Sequence, residues 1–233
     1  MDKTDRMLDL TRRAPARNNG RTSADADRGE RRRLAPEQRE EEIVRAAVQF
    51  FAEFGFEGQT RELAKRLNIT QPLLYRYFPT KDALVERVYQ DVFMRRWNPF
   101  WESTIANVDL TLRERLVAFY DDYAKVILSY EWIRLFMFSG LKGLGFNNRY
   151  LDVLRERIFV PVIVQMRKEF GRELPPGLPV SAMEIELIWS VHAAIFYLGV
   201  RKFIYDMPVE DVTAIVEMKV TAMLDGAAAV IGR

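Results

Sequence analysis

The chain has no cysteine in 233 residues and a single histidine, His192. Disulfides, thiolate metal sites and thiol catalysis are thereby excluded. No Ser/His/Asp set, metal-ligand cluster or paired acid motif stands out, so an enzyme is not expected, and neither is a cofactor or a metal. Strand-like alternation is missing from residues 99–233. An apolar run of about 18 residues, the length that spans a bilayer, is missing throughout. The opening Met1-Asp2-Lys3-Thr4-Asp5-Arg6 lacks the apolar stretch of a secretory signal. These absences fit a cytoplasmic, all-α protein with no membrane span. The formal charge is only +2, so any contact with a polyanion must come from a local patch.

That charge is unevenly placed. Residues 1–36 hold ten Lys/Arg against six Asp/Glu, net +4, which leaves −2 on the rest. Beyond Met7, Leu8, Leu10 and Leu34 this stretch has almost no large apolar residues. It buries too little to offset its ordering entropy, and 1–35 is expected to be a disordered basic arm. Arg31-Arg32-Arg33 fits either a solvated tail or a segment that follows phosphates or a minor groove. The remaining chain, in a sequence 48% hydrophobic, can build a real core.

From Pro36 onward the period is helical. Pro36 suits a first turn, and Ile43, Ala46, Ala47, Phe50, Phe51 and Phe54 recur on one face. Gly55 supplies a stop, and Phe56 folds back. A second helix is predicted near Gln59 or Thr60, with the Thr60 hydroxyl as cap and Leu63, Ala64 and Leu67 inside. Asn68 sits where a turn needs left-handed backbone, and Ile69 plugs that turn into the core. Thr70 caps a third helix with Pro72 in its first turn; Leu74 and Phe78 face inward. Gln71, Leu73, Tyr75, Arg76 and Tyr77 remain for a partner surface. Pro79-Thr80-Lys81-Asp82 ends that helix and caps the next, which runs to about Trp97 before Asn98-Pro99.

The set Ile43, Ala46-Ala47, Phe51, Gly55-Phe56, Thr60, Leu63-Ala64, Ile69-Thr70, Leu74-Tyr75, Phe78, Lys81 and Leu84 resembles the DNA-binding region of TetR/AcrR-family transcriptional regulators. Gln71-Pro72-x-Leu74-Tyr75, followed by Phe78 and Lys81, is similar to the family's recognition-helix signature. The chain departs from that pattern at Asn68 for the usual Gly, at Leu67 for a common Ala, and in a shorter loop after Phe56. The phosphate contact at the second helix's start therefore falls to Gln59, Thr60 or Arg61.

The resemblance implies a helix-turn-helix whose second helix enters the major groove. The candidate DNA contacts are Thr60, Arg61, Thr70, Gln71, Pro72, Leu73, Tyr75, Arg76, Tyr77 and Lys81. Gln71 suits adenine, Arg76 suits guanine or the backbone, and Leu73 suits a thymine methyl. The hydroxyls of Tyr75 and Tyr77 suit phosphates, which fix register. Lys81 is similar to the family's phosphate-binding lysine. Arg61, Lys65 and Arg66 fit a solvated face as well as a contact.

The rest reads as a larger helical body. Leu112, Leu116, Phe119, Tyr120, Tyr123, Val126, Ile127 and Tyr130 form a stripe. The run Trp132, Ile133, Leu135, Phe136, Met137 and Phe138 is apolar nearly all round. Gly140-Leu141-Lys142-Gly143-Leu144-Gly145 breaks the chain, a long helix follows over 148–170 with a kink at Pro161, and 171–179 is a proline-rich loop. The last helices are expected over 181–205 and 208–230.

The expected fold is therefore all-α, with an N-terminal helix-turn-helix three-helix domain over 36–97 and a larger helical body over 98–233. The resemblance gives that body two tasks: homodimerisation through about 181–230, and binding a small hydrophobic or aromatic effector. Candidate effector residues are Trp101, Tyr120, Tyr123, Trp132, Phe136, Trp189 and Phe196, each of which ordinary core packing also explains. His192 reads as a packed or interface residue. The function implied is a transcriptional regulator, most often a repressor, on palindromic double-stranded operator DNA. The alternative is a helical ligand-binding adaptor, or an enzyme, that no longer binds DNA.

Overall fold

The structure is a computed structural model that describes residues 35–172, 175 and 179–231. The expected basic arm, but for Ala35, lies outside the described residues, as does part of the proline-rich loop. The helices are α1 (Pro36–Phe54), α2 (Thr60–Arg66), α3 (Gln71–Tyr77), α4 (Lys81–Tyr89), α5 (Phe100–Ala106) and α6 (Leu112–Ile127). Then come α7 (Tyr130–Lys142), α8 (Phe146–Leu154), α9 (Val160–Glu169), α10 (Ala182–Phe203) and α11 (Val212–Ala227). No strand occurs among the described residues. The expected all-α class holds.

At the N-terminal end the local chemistry acts as the sequence predicts. Pro36 opens α1, and Ile43, Ala47, Phe50 and Phe51 are buried. Gly55 ends it at φ 71°, with its N–H bonded to the Phe51 carbonyl. Phe54 differs. It is half exposed, and the Arg66 guanidinium covers its ring at 4.8 Å. The core falls away at the end of α1, which helical period alone does not reveal.

Two wide π-helical turns interrupt the body's helices. Gln90–Met94 continues α4, closed by Arg95 N–H to the Gln90 carbonyl at 2.8 Å. Arg155–Phe159 joins α8 to α9. There the expected kink at Pro161 is replaced by a widened turn. Proline clashes with the carbonyl one turn back and lacks an N–H, and a π turn upstream shifts the bonding register.

Other boundaries move. The helix of Tyr130 runs through Gly140 to Lys142, so only Gly143–Gly145 forms the break, with left-handed Gly143 and Gly145. Tyr130 opens α7 instead of closing the preceding stripe. The final helix starts at Val212, not 208, because Asp211 caps it through the Ala214 N–H.

One hydrophobic cluster is continuous from α1 to the chain's last helix. Within it α1 packs on α4 and α7, and α11 packs on α6 and α10. Polar latches tie the N-terminal helices to the body. Arg149 on α8 grips Glu86 on α4 with two bonds of 2.9 and 2.8 Å, its guanidinium 4.2 Å from the Tyr89 ring. Arg134 on α7 donates to the carbonyls of Ala52 and Glu53 at the end of α1, and Lys142 pairs with Glu57.

By length and composition α10 could cross a membrane, yet half of its most apolar window is buried inside the fold. Its buried residues Ile185, Ile188, Val191 and Ile195 belong to the common core. Its first turn also carries Glu184, paired with Arg167, which marks a core helix.

Candidate nucleic-acid interface and aromatic core

The turn between α2 and α3 is built as its sequence requires. Asn68 takes φ 53° with no glycine present. Ile69 packs on the core, and its N–H reaches the Ala64 carbonyl at 3.0 Å. Thr70 caps α3 by accepting the Leu73 N–H at 3.3 Å; Thr80 caps α4 by accepting the Ala83 N–H at 3.0 Å. Inside α3 only Leu74 is buried, with Phe78 just beyond. Pinned through Leu74 and Phe78, the short helix leaves its other faces available.

Gln71, Leu73 and Lys81 are half-buried, and Thr70, Pro72, Tyr75, Arg76 and Arg61 are exposed. Together they outline one surface running from α2 across α3 to the start of α4. Tyr77 is half-buried too and packs against the core. One expectation needs correction. Thr60 is buried and is not the cap of α2, a position held by Gln59.

The buried Thr60 hydroxyl does something the sequence did not indicate. It lies 2.9 Å from the Tyr75 hydroxyl and accepts from Gln71 Nε2 at 3.3 Å. Two side chains expected at DNA are thus held from behind by one hydroxyl across the α2–α3 pair. Holding a side chain in one geometry removes rotamer entropy that binding would otherwise cost. Thr60→Val keeps the shape and removes both bonds. It is expected to weaken operator binding roughly tenfold, as one or two net hydrogen bonds are worth. Fluorescence anisotropy with a labelled duplex reads this, with the helical circular dichroism unchanged.

Residues 43–88, which frame this surface, match the family described as bacterial regulatory proteins, tetR family. Over that stretch the chain is similar to the TetR family. Tetracycline repressor protein class D from Escherichia coli is 32% identical over 96 residues, 38% of this chain and 44% of that protein. The match thus spans less than half the length of that curated relative. Beyond the matched stretch the likeness is one of fold. A TetR-like transcriptional regulator from Rhodococcus superposes with a TM-score of 0.63 at 18% identity, covering 83% of this chain and all of that one. The fatty acid degradation regulator FadR of Bacillus halodurans gives 0.59 at 17%, covering 83% and 97%.

In the body, the seven aromatic residues singled out from sequence are packed ring on ring. Trp101 meets Tyr123 at 5.1 Å, Tyr120 meets Tyr123 at 6.4 Å, and Trp132 stacks on Phe136 at 4.8 Å, which in turn meets Phe196 at 5.4 Å. Trp189 joins through His192 at 5.3 Å. Sequence reading missed several members: Phe93 on the first π turn, Trp97 just beyond it, Phe119, Tyr150, and Phe159 on the second π turn. Each lies on a plain apolar stripe, with no signal separating it from core. A cleft of about 200 Å³ lies elsewhere, between α6, α10 and the start of α11, lined by Ala124, Leu128, Leu198, Val212 and others.

Phe93 matters for coupling. It sits on the π turn that extends α4 and meets Trp132 edge-on at 5.1 Å. The segment that continues α4 just past the matched stretch thus touches the aromatic core directly.

Burial makes the core's titratable groups uncharged. The His192 imidazole is lowered to about 3, and the phenols of Tyr120, Tyr123 and Tyr150 are pushed up, all chiefly by desolvation. Among the described residues, no group of three His, Cys, Asp or Glu could hold a metal ion.

Proposed function

We propose that the protein is a homodimeric DNA-binding transcriptional regulator of the repressor type, working in the cytoplasm. In this reading 36–97 reads a palindromic operator, and 98–233 dimerises and senses a small hydrophobic or aromatic effector. The observation that carries the proposal is the exposed α3, capped by Thr70 and backed by Thr60, inside the stretch that matches the tetR family. A single seven-residue helix reads only a half-site, so two copies are needed for useful specificity. Exposed Met183 and Tyr197 on α10 and Met218 on α11 suit a contact between copies of these helices. The names of two similar folds, a fatty acid degradation regulator and a ketosteroid transcriptional regulator, agree with an apolar effector.

The mechanism follows from the couplings. An effector lodged among Trp101, Tyr120, Tyr123, Trp132, Phe136, Trp189 and Phe196 presses on Phe93 and so on α4. The Arg149–Glu86 latch ties α4 to α8, and the Arg134 latch carries the displacement from α7 to the end of α1. The effector releases DNA only if it prefers the spacing of recognition helices that does not fit the operator.

The test is a titration of a palindromic duplex from the protein's own promoter region. Binding should weaken steeply between 50 and 200 mM salt, since phosphate contacts release counterions. Salt-independent binding, or none, would sink the proposal. Gln71→Ala is expected to cost about 1–3 kcal/mol on the preferred operator and little on variants of one base pair. A panel of single-base variants measures that flattening.

A further inference from the structure

Three polar atoms sit inside the aromatic core with no hydrogen-bond partner: the Tyr120 hydroxyl, Trp132 Nε1 and His192 Nδ1. Each belongs to a side chain no more than 5% exposed. Folded proteins seldom leave such groups unpaired, because each forfeits its hydration without replacement. Their neighbours are satisfied. Tyr123 and Tyr150 bond hydroxyl to hydroxyl at 3.2 Å, Trp101 donates to Asp122 at 2.8 Å, and Trp97 donates to Glu102 at 3.3 Å. Arg115 Nε, Ser139 Oγ and Asn147 Oδ1 are also buried without a partner, but Tyr120 and His192 are the two that pair ring against ring.

Tyr120 on α6 and His192 on α10 face each other with ring centroids 6.4 Å apart. Tyr123 and Phe159 flank the imidazole at 5.5 and 5.3 Å. Phe159 comes from the π turn before Pro161, a distortion of the kind that recurs at functional sites. The imidazole is neutral, so one nitrogen can donate and the other accept; a phenol can do both. Nearby charges do not favour an anion. Asp122 borders the cluster and accepts from Trp101 and Asn98, and the buried Arg115 donates from Nη1 to the Ile105 carbonyl while its Nε has no partner.

We infer that Tyr120 and His192 form the polar anchor of the effector site, and that the effector is an uncharged, flat, largely apolar molecule bearing a hydroxyl or carbonyl group. The apolar body stacks among the aromatic rings, and the single polar group supplies the partner that Tyr120 and His192 lack. Trp132 Nε1, whose ring meets Tyr150 at 5.5 Å, offers a second donor. This inference rests on the effector-responsive reading of the body proposed above.

The test uses the full chain and two probes of one shape, naphthalene and 2-naphthol, titrated calorimetrically. The hydroxylated probe is expected to bind roughly tenfold more tightly, the ratio one net buried hydrogen bond supplies. Tyr120→Phe and His192→Phe should each shrink that ratio towards unity. Without any probe, Tyr120→Phe should raise the thermal midpoint, because an orphaned hydroxyl is removed at constant shape. Equal affinities for the pair, binding of neither, a hydroxyl preference that survives both substitutions, or a lowered midpoint would each overturn the inference. A 2-naphthol complex with the expected ratio but unaltered operator affinity would leave the anchor standing and overturn the regulatory reading.

Discussion

Replacing Tyr75 and Lys81 together by alanine lowers affinity for all duplexes by roughly a hundredfold, specific and non-specific alike. A charge-assisted bond to phosphate contributes about 1.5–3 kcal/mol, which for Lys81 alone is tenfold or more. Tyr75 adds a neutral bond and the anchorage of the helix face. Both side chains stand at the rim of α3, Tyr75 exposed and Lys81 opening α4. Contacts from such rims go to the backbone, which is the same for every sequence. The loss should therefore be uniform across operators, and the slope of log affinity against log salt should flatten by about one for the lysine. Anisotropy titrations at three salt concentrations check both features. A loss confined to one operator sequence would reassign these residues to base reading, and no loss would remove them from the interface.

The second large effect concerns the fold. Arg167→Ala is expected to destabilise the protein by about 3–5 kcal/mol, the usual result of stranding a buried charge. Arg167 on α9 holds Glu184 on α10 through Nε at 2.8 Å and through a second nitrogen at 2.6 Å, and it also donates to the Pro179 carbonyl at 3.2 Å. Glu184 closes the capping box of α10 by accepting the Ser181 N–H at 2.8 Å. Both residues are buried, so water cannot take Arg167's place. Changing both residues to methionine removes the two charges together and should cost far less, near the 1 kcal/mol of a lost cap. Urea unfolding of the single and double variants separates the two cases.

The same pair sets an acid limit. Arg167, then the Ser181 bonds, hold the Glu184 carboxyl at about 2 against an ordinary 4.5. A carboxyl whose folded pKa is depressed contributes stability that is complete above its unfolded value. That contribution is lost as pH falls from about 4.5 towards 2, and amounts to roughly 3 kcal/mol. His192 acts in the same direction at higher pH. Its imidazole is held neutral in the fold, so protonation of the unfolded chain draws stability away once pH falls below about 6.5.

Much of the N-terminal end could be read directly from the residues. Pro36, Gly55, Asn68, Thr70 and Thr80 act through their own backbone preferences and hydroxyls, within four residues of where they sit. Such local chemistry is written in the sequence one residue at a time. Boundaries in the body were harder, because they depend on competition. Gly140 stays helical since packing of α7 outweighs its propensity, and Pro161 is accommodated by a π turn that no local pattern announces.

The sequence by itself determined that this is an all-helical chain, without thiol chemistry, carrying a turn built on Asn68 between two short helices. It also determined which stripe of each helix is apolar. Only the tertiary structure decided what those stripes meet. Thr60 looked like a cap and became a buried hydroxyl behind Tyr75 and Gln71, because α3 crosses over the start of α2. His192 looked like one more packed residue. It became the ring neighbour of an unsatisfied Tyr120 because α6 and α10, 55 or more residues apart in the chain, lie side by side in the core. Local preference is fixed by a residue and its near neighbours. The partner of a buried polar atom is fixed by which distant helix folds against it.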